Sequence, residues 1–312
     1  MKSYKLMKNR TNKESRDWSK DEIERPFSVL VLGWLEPDII KRSLNSINEL
    51  VGVDPRIYFI EQKSKNSDII KELILSTPNI KGYIQMKENW AAASWKIAME
   101  HFLPQIEDEF ITITDGDYVW DSFSMDYQYN KLETHSDIGI ISQKRSLLGT
   151  AGHWKRMVME GYSIAVKPDE RNAEAAWADE GMTRSNFNSM NLTTARKKDW
   201  EEYVDVINTK RVSFATSRIG EPWIPEHRPP LFWDVDLYPF FENVFNKSSF
   251  VVEEGLSYHI ADEYENDPES QYSVEKREYG HYHSHWRDYQ DDPDFYHSKF
   301  YKNGDLKYDI IK

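Results

Sequence analysis

The residues best suited to do chemistry are Asp115-Gly116-Asp117, directly after the apolar run FITIT at 110–114. Carboxylates at the carboxyl end of a strand sit where open α/β sheets bind ligands. The small residue between them leaves room for a ligand to approach. Two such carboxylates suit a hard divalent cation, Mg²⁺ or Mn²⁺, which takes oxygen ligands and bridges a diphosphate. The same tripeptide also suits a plain acidic β-turn, because Asp and Gly are favoured turn formers. Trp34 follows the apolar run 27–33, where its ring would either lie against a base or pack as a half-buried rim. Lys96 would either approach phosphates or snorkel along a helix. His281, His283 and His285 alternate, so a strand would turn all three to one side, as a metal site or as a solvated tail. The chain has no G-x-S-x-G, P-loop or H-E-x-x-H motif.

The elements that would position these residues alternate. FSVLVLG at 27–33 is a continuous apolar run ending at glycine, which predicts a buried parallel strand. Ile40, Leu44, Ile47 and Val51 then recur at helical spacing, with Pro37 suited to a first turn and Gly52 to a stop. RIYFIE at 56–61 predicts a second strand, followed by a helix carrying Ile69, Ile70, Leu73 and Ile74 and capped from Asn66-Ser67-Asp68. Residues 82–86 predict a third strand, 89–103 a helix stopped by Pro104, 110–114 a fourth strand and 138–142 a fifth. This alternation implies an α/β fold with a mostly parallel central sheet and helices on both faces. Beyond residue 142 the pattern loosens, with one helix expected near 199–208, as in an irregular substrate-side region.

Composition excludes several classes of function. The net charge is −13, which argues against broad binding to a phosphate backbone, so no nucleic-acid partner is expected. No cysteine is present, which removes disulfides, thiolate metal sites and cysteine nucleophiles. Eleven Trp and eighteen Tyr leave two readings open, ring-filled packing or platforms for sugar faces. Residues 1–25 form a mildly basic arm without an apolar leader core, and no run is long enough to span a bilayer. The expectation is a cytoplasmic protein, with the arm either a solvated terminus or a segment able to touch an anionic membrane surface.

Residues 27–117 resemble the nucleotide-binding half of GT-A glycosyltransferases, most closely the family 2-like group. The resemblance is carried by FSVLVLGWLEPDIIKRSLNSI, RIYFIEQKSKNSD, ENWAAASWKIAMEHF and FITIT-Asp115-Gly116-Asp117, in that order. It implies a Rossmann-like GT-A fold in which Glu61 falls where the family has an Asp on the nucleoside. Asn89 and Lys96 lie in the helix segment near the donor. Asp115 would touch the nucleotide sugar and, with Asp117, hold the metal of a D-x-D motif. Downstream, FWDVDLYPFFENVF resembles the acceptor-side segment, where Asp234 matches the general base of inverting members and Asp236 follows. FVVEEGLSYHIADEY is similar to the strand and loop that bring in a metal-binding His, here His259, with an ordinary surface histidine as the other reading. Trp223 and Trp233 flank the base and would shape an acceptor pocket by stacking. The local reading of Asp234 and Asp236 as a helix N-cap pair before Pro239 stays open.

These features imply a basic arm at 1–25, a GT-A domain at 26–262 and an acidic, Tyr/His-rich extension at 263–312. The domain would divide into a nucleotide-sugar half, 26–142, and an acceptor half, 143–262. The implied activity moves a sugar from a nucleotide-sugar, a UDP-sugar by resemblance, to a hydroxyl of a saccharide or glycoconjugate, with Mn²⁺ or Mg²⁺ as cofactor and inversion at the anomeric carbon. Two other readings remain, a metal-dependent nucleotidyltransferase on a similar sheet and a non-catalytic glycan-binding relative.

Overall fold

The computed structural model describes residues 25–89, 94–120, 122, 125–145, 182–184, 191–210, 241, 245–260, 268–270, 272–274 and 308–312. Its backbone is one mixed sheet with strand order β10-β3-β2-β1-β4-β8-β6-β9-β5, with β7 also paired to β9. The first strands are β1 (Arg25–Gly33), β2 (Val53–Glu61), β3 (Ile80–Met86) and β4 (Phe110–Asp115). All are parallel in the order β3-β2-β1-β4. This parallel block is the part that the continuous apolar runs predicted, and its strands start up to three residues earlier than expected.

The helices between these strands are α1 (Pro37–Asn48), α2 (Ser67–Ser76) and α3 (Ser94–Phe102). The later helices are α4 (Asp126–Thr134) and α5 (Lys197–Lys210). Period-2 alternation along the strands sorts them onto two faces. Val29, Val31, Ile57 and Phe59 join a core with Ile40, Leu44 and Ile47 of α1, Ile70 and Ile74 of α2, and Tyr129 and Leu132 of α4. Leu30, Tyr58 and Ile60 point the other way, into a core with Trp95, Met99 and Phe102 of α3 and Trp200 and Tyr203 of α5. Burying each such side chain contributes about 1.5–3 kcal/mol. Pro37 occupies the first turn of α1, as predicted. Asn66 precedes α2 but makes no side-chain cap; its Nδ2 donates instead to the Leu35 carbonyl, 2.8 Å away. The side chain ties two loops together instead of serving the helix.

The second half of the sheet contains β5 (Tyr118–Trp120), β6 (Ile138–Arg145), β7 (Met182–Arg184), β8 (Thr193–Arg196) and β9 (Ser248–His259). Strand β8 runs antiparallel between β4 and β6, and β9 lies parallel to β6. The first part of β9 pairs with β7 and its last three residues pair with β5, both antiparallel. From the stretch 263–312, β10 (Tyr308–Ile310) adds an antiparallel strand beside β3. Among the described residues no helix is long and apolar enough to cross a membrane.

An ion cluster fixes where β9 begins. Lys247 Nζ donates to both oxygens of Asp199 at 2.6 and 2.7 Å, and Arg196 lies 3.8 Å from the same carboxylate. Arg196 also donates to the carbonyls of Ile138, Leu132 and His135. Asp199 is 3% exposed, so removing it takes the carboxylate partner from the part-buried Lys247 ammonium, while Arg196 keeps its carbonyl acceptors. Asp199→Ala is expected to cost about 3–5 kcal/mol in urea unfolding, well above the effect of an exposed Asp→Ala change.

Candidate functional site

The chain runs from β1 out through β2 to β3, then returns to place β4 on the other side of β1. That reversal opens a crevice at the carboxyl ends of β1 and β4, the location where open α/β sheets bind ligands. Leu32 and Asp115 are register partners, so the Asp115-Gly116-Asp117 turn begins beside the end of β1. The Gly116 N–H donates to the Leu32 carbonyl at 2.6 Å. A Cβ at Gly116 would lie 3.0 Å from that oxygen and 3.2 Å from the Gly33 Cα. Both are backbone atoms and cannot swing aside. Gly33 is similarly constrained, since a Cβ there would run into the Phe59 ring. Gly116→Ala should therefore push the turn away from β1, lowering stability by about 1–3 kcal/mol. Thermal unfolding measures that loss, and the crystal structure of the variant should show Asp115 displaced.

The carboxylate at Asp117 meets an imidazole from far along the chain. His259 Nε2 lies 2.9 Å from Asp117 Oδ2, with the two side chains 15% and 26% exposed. Backbone pairing brings them together: Tyr118 and His259 are partners on β5 and β9, and the Ile260 N–H donates to the Asp117 carbonyl at 2.7 Å. The Tyr118 ring lies 4.9 Å from the imidazole, centroid to centroid, and limits how it can turn. Asp115 is on the same turn, yet the described residues gather no group of three His, Asp or Glu side chains that would hold an ion.

A two-donor edge still fits a metal. Adjacent ligands in an octahedral shell with bonds of about 2.1 Å lie about 3.0 Å apart. The observed separation of 2.9 Å is close to that edge and is equally the length of an ordinary imidazole–carboxylate hydrogen bond. One carboxylate oxygen and one imidazole nitrogen also suit Mn²⁺ chemically, since carboxylates and imidazoles are its ordinary ligands.

The other sequence-predicted residues divide by position. Trp34 is half-buried at the end of β1 and packs on Leu35, Ile39, Val119, Ile260 and Tyr272. Its ring meets Tyr272 edge-on at 6.0 Å, so the stretch 263–312 also reaches this rim. Leu35 turns the chain with a φ of 70° and is fully buried. Asn89 is half-buried beyond the end of β3. Lys96 pairs with Glu100 at 3.0 Å along α3. Asp234, Asp236, Trp223 and Trp233 lie outside the described residues, as do His281, His283 and His285.

Glu61 ends β2 fully buried, facing β3. Its Oε2 accepts from the Tyr83 hydroxyl and from Gln85 Nε2 at 3.0 Å, and Oε1 has no hydrogen-bond partner among the described residues. Burial pushes the carboxyl above the usual carboxylate range, although nearby hydroxyl and amide donors oppose the shift. Burial, and then the Glu61 charge, push the Tyr83 phenol up as well. Sequence reasoning did not single out Tyr83 and Gln85; their period-2 spacing on β3 was the available signal. A carboxyl with a raised folded-state value binds its proton more tightly in the folded chain. Its stabilising contribution is complete below the unfolded value and fades as pH climbs through the folded one. The Glu61→Gln variant should therefore gain melting temperature relative to wild type as pH rises from 4 to 8, as differential scanning calorimetry would record.

No protein-family model matches the chain. No curated protein matches it either. Among solved structures it is similar to the mannosyltransferase PcManGT from Pyrobaculum calidifontis in complex with GDP-Man and Mn²⁺, at 12% identity and a TM-score of 0.46 over 82% of this chain and 63% of that one. It is also similar to S. aureus TarS, at 14% identity and a TM-score of 0.42 over 75% of this chain and 36% of that one. A TarS fragment in complex with UDP-GlcNAc gives 12% and 0.43, over 75% of this chain and 61% of the fragment. The chain thus spans less than two thirds of each of these proteins.

Proposed function

We propose that the chain is a metal-dependent glycosyltransferase acting on a nucleotide-sugar. The observation that carries this reading is the Asp117–His259 pair, 2.9 Å apart at the switch point of the parallel strands. A nucleoside diphosphate is a poor leaving group unless its developing charge is met, and a cation held by a strand-end carboxylate and an imidazole would meet it. When bound, Mn²⁺ or Mg²⁺ would neutralise the leaving diphosphate. Asp117 and His259 would hold it, and Asp115 would orient the sugar or add a further oxygen. Trp34, half-buried at the end of β1, would offer its ring to the base.

In the transfer, the bond from the anomeric carbon to the diphosphate oxygen breaks, and the acceptor oxygen forms a new bond to that carbon. Asp234 is assigned the acceptor proton, as the sequence resemblance implies, and attack opposite the leaving group inverts the centre. Trp223 and Trp233 flank Asp234 in sequence and would line the acceptor side, with Asp236 nearby. The donor is expected to be a UDP-sugar and the acceptor a saccharide or glycoconjugate.

A thermal-shift screen of UDP-, GDP- and dTDP-sugars, each with Mn²⁺, Mg²⁺ or EDTA, tests this directly. One nucleotide-sugar at about 100 times its Kd should stabilise the fold by roughly 2.7 kcal/mol, and only with metal present. Asp117→Ala should abolish that shift. With the donor found, release of nucleoside diphosphate marks a glycosyltransferase, whereas release of pyrophosphate from a triphosphate marks a nucleotidyltransferase. Asp234→Asn should lower turnover by about 10²–10⁴-fold with donor affinity unchanged. If no nucleotide-sugar binds under any metal condition, the reading fails.

A further inference from the structure

Behind the Asp117–His259 pair lies a buried amide that touches three strands. Asn191 is fully buried just before β8. Its Oδ1 accepts from Trp120 Nε1 of β5 at 2.6 Å. Its Nδ2 donates to Ser257 Oγ of β9 at 2.5 Å and to the Gln143 carbonyl of β6 at 3.3 Å. The Asn191 carbonyl in turn accepts from the Gln143 N–H at 3.1 Å. An indole N–H only donates, so Oδ1 must face Trp120, and Nδ2 is thereby aimed at Ser257 and Gln143. The amide has one chemically sensible orientation. The backbone helps to fix it, because Leu192 follows with a φ of 44°, uncommon for a residue with a side chain.

The place of this clamp is what gives it meaning. Trp120 and Ser257 are register partners on β5 and β9, one same-face step from the Tyr118–His259 rung. Strand β5 is only three residues long, too short to define its register by its own ladder. Side chains two apart on a strand share a face, so Trp120 and Tyr118 stack at 6.2 Å, and Tyr118 contacts the imidazole at 4.9 Å. One route thus runs from Asn191 through Trp120 and Tyr118 to His259. A second runs from Asn191 through Ser257 along β9 to the same histidine. A one-residue slip of β5 would turn Tyr118 to the other face and separate Asp117 from His259.

We propose that Asn191 is a positioning residue that fixes the β5–β9 register and so the Asp117–His259 donor edge. The part of the proposal that concerns a metal rests on the glycosyltransferase reading; the part that concerns the imidazole does not. Asn191 makes no contact with the donor pair itself and acts through the two strands. A well-packed apolar residue would fill the same space and keep the backbone bond to Gln143, but it would leave the Trp120 indole N–H without its acceptor and the register unspecified.

The test compares wild type with Asn191→Ala and, as a milder variant, Trp120→Phe, which keeps a ring and removes the donor. The ¹³Cε1 and ¹⁵Nε2 shifts of His259 are read by NMR at fixed pH, and Mn²⁺ affinity is read by EPR with the metal alone. Melting temperature is followed in parallel, so that both readings are taken well below unfolding. The expected result is a moved His259 signal in both variants, with Mn²⁺ affinity lowered about tenfold or more in Asn191→Ala. A purely structural role predicts a lower melting temperature with the His259 signal and Mn²⁺ affinity both at wild-type values, and that outcome overturns the proposal. If Asn191→Ala does not fold, Trp120→Phe decides by the same criterion. If wild type itself fails to bind Mn²⁺, the metal reading falls, while the His259 shifts still decide the role of Asn191.

Discussion

The site depends on how closely the turn after β4 lies against the end of β1. The Gly116 N–H reaches the Leu32 carbonyl at 2.6 Å, and neither glycine at that contact leaves room for a side chain. Parallel strands do not end on a shared turn, so their carboxyl ends usually diverge into separate loops. Here the backbone of one loop continues the hydrogen bonding of the neighbouring strand. That contact settles where Asp115 emerges and the direction in which Tyr118–Trp120 departs as β5. Once β5 has its direction, β9 has an edge on which to lay its last three residues, and His259 follows.

Much of the parallel block was legible because its strands are buried on both faces. Runs such as 27–33 and 110–114 need no partner to be recognised, and the helices between them repeat at 3.6 residues. Strands β5, β7, β8 and β10 were not legible, since each holds four residues or fewer and is defined only by its pairing. Asn66 looked like a helix cap from its neighbours in sequence, but a loop 31 residues upstream provided a better acceptor. Glu61 was placed correctly at a strand end, whereas its burial against Tyr83 depended on a neighbouring strand that local sequence does not reveal. Asn191 had no local signal at all, because an asparagine in a polar stretch reads as an ordinary loop residue.

The aromatic content also resolves into particulars. Trp95 and Trp200 fill one core, Trp120 and Tyr129 fill the other, and all four are at least 95% buried. For these rings the packing alternative holds. Trp34 differs, because it stands half-buried at a strand end, packed on an apolar cluster. The division follows burial: the core indoles fill volume, and Trp34 keeps part of its ring at the surface.

The 142-residue separation between Asp117 and His259 has a consequence for synthesis. Contacts so distant in sequence close late, because loop entropy opposes them until the intervening elements are in place. On the ribosome, β1 to β4 and the acidic turn are complete while β9 has yet to be made. An emerging chain therefore presents the carboxylates without the imidazole. The Asp117–His259 contact forms only once β9 is made, so that the histidine reports on whether the sheet has closed around it.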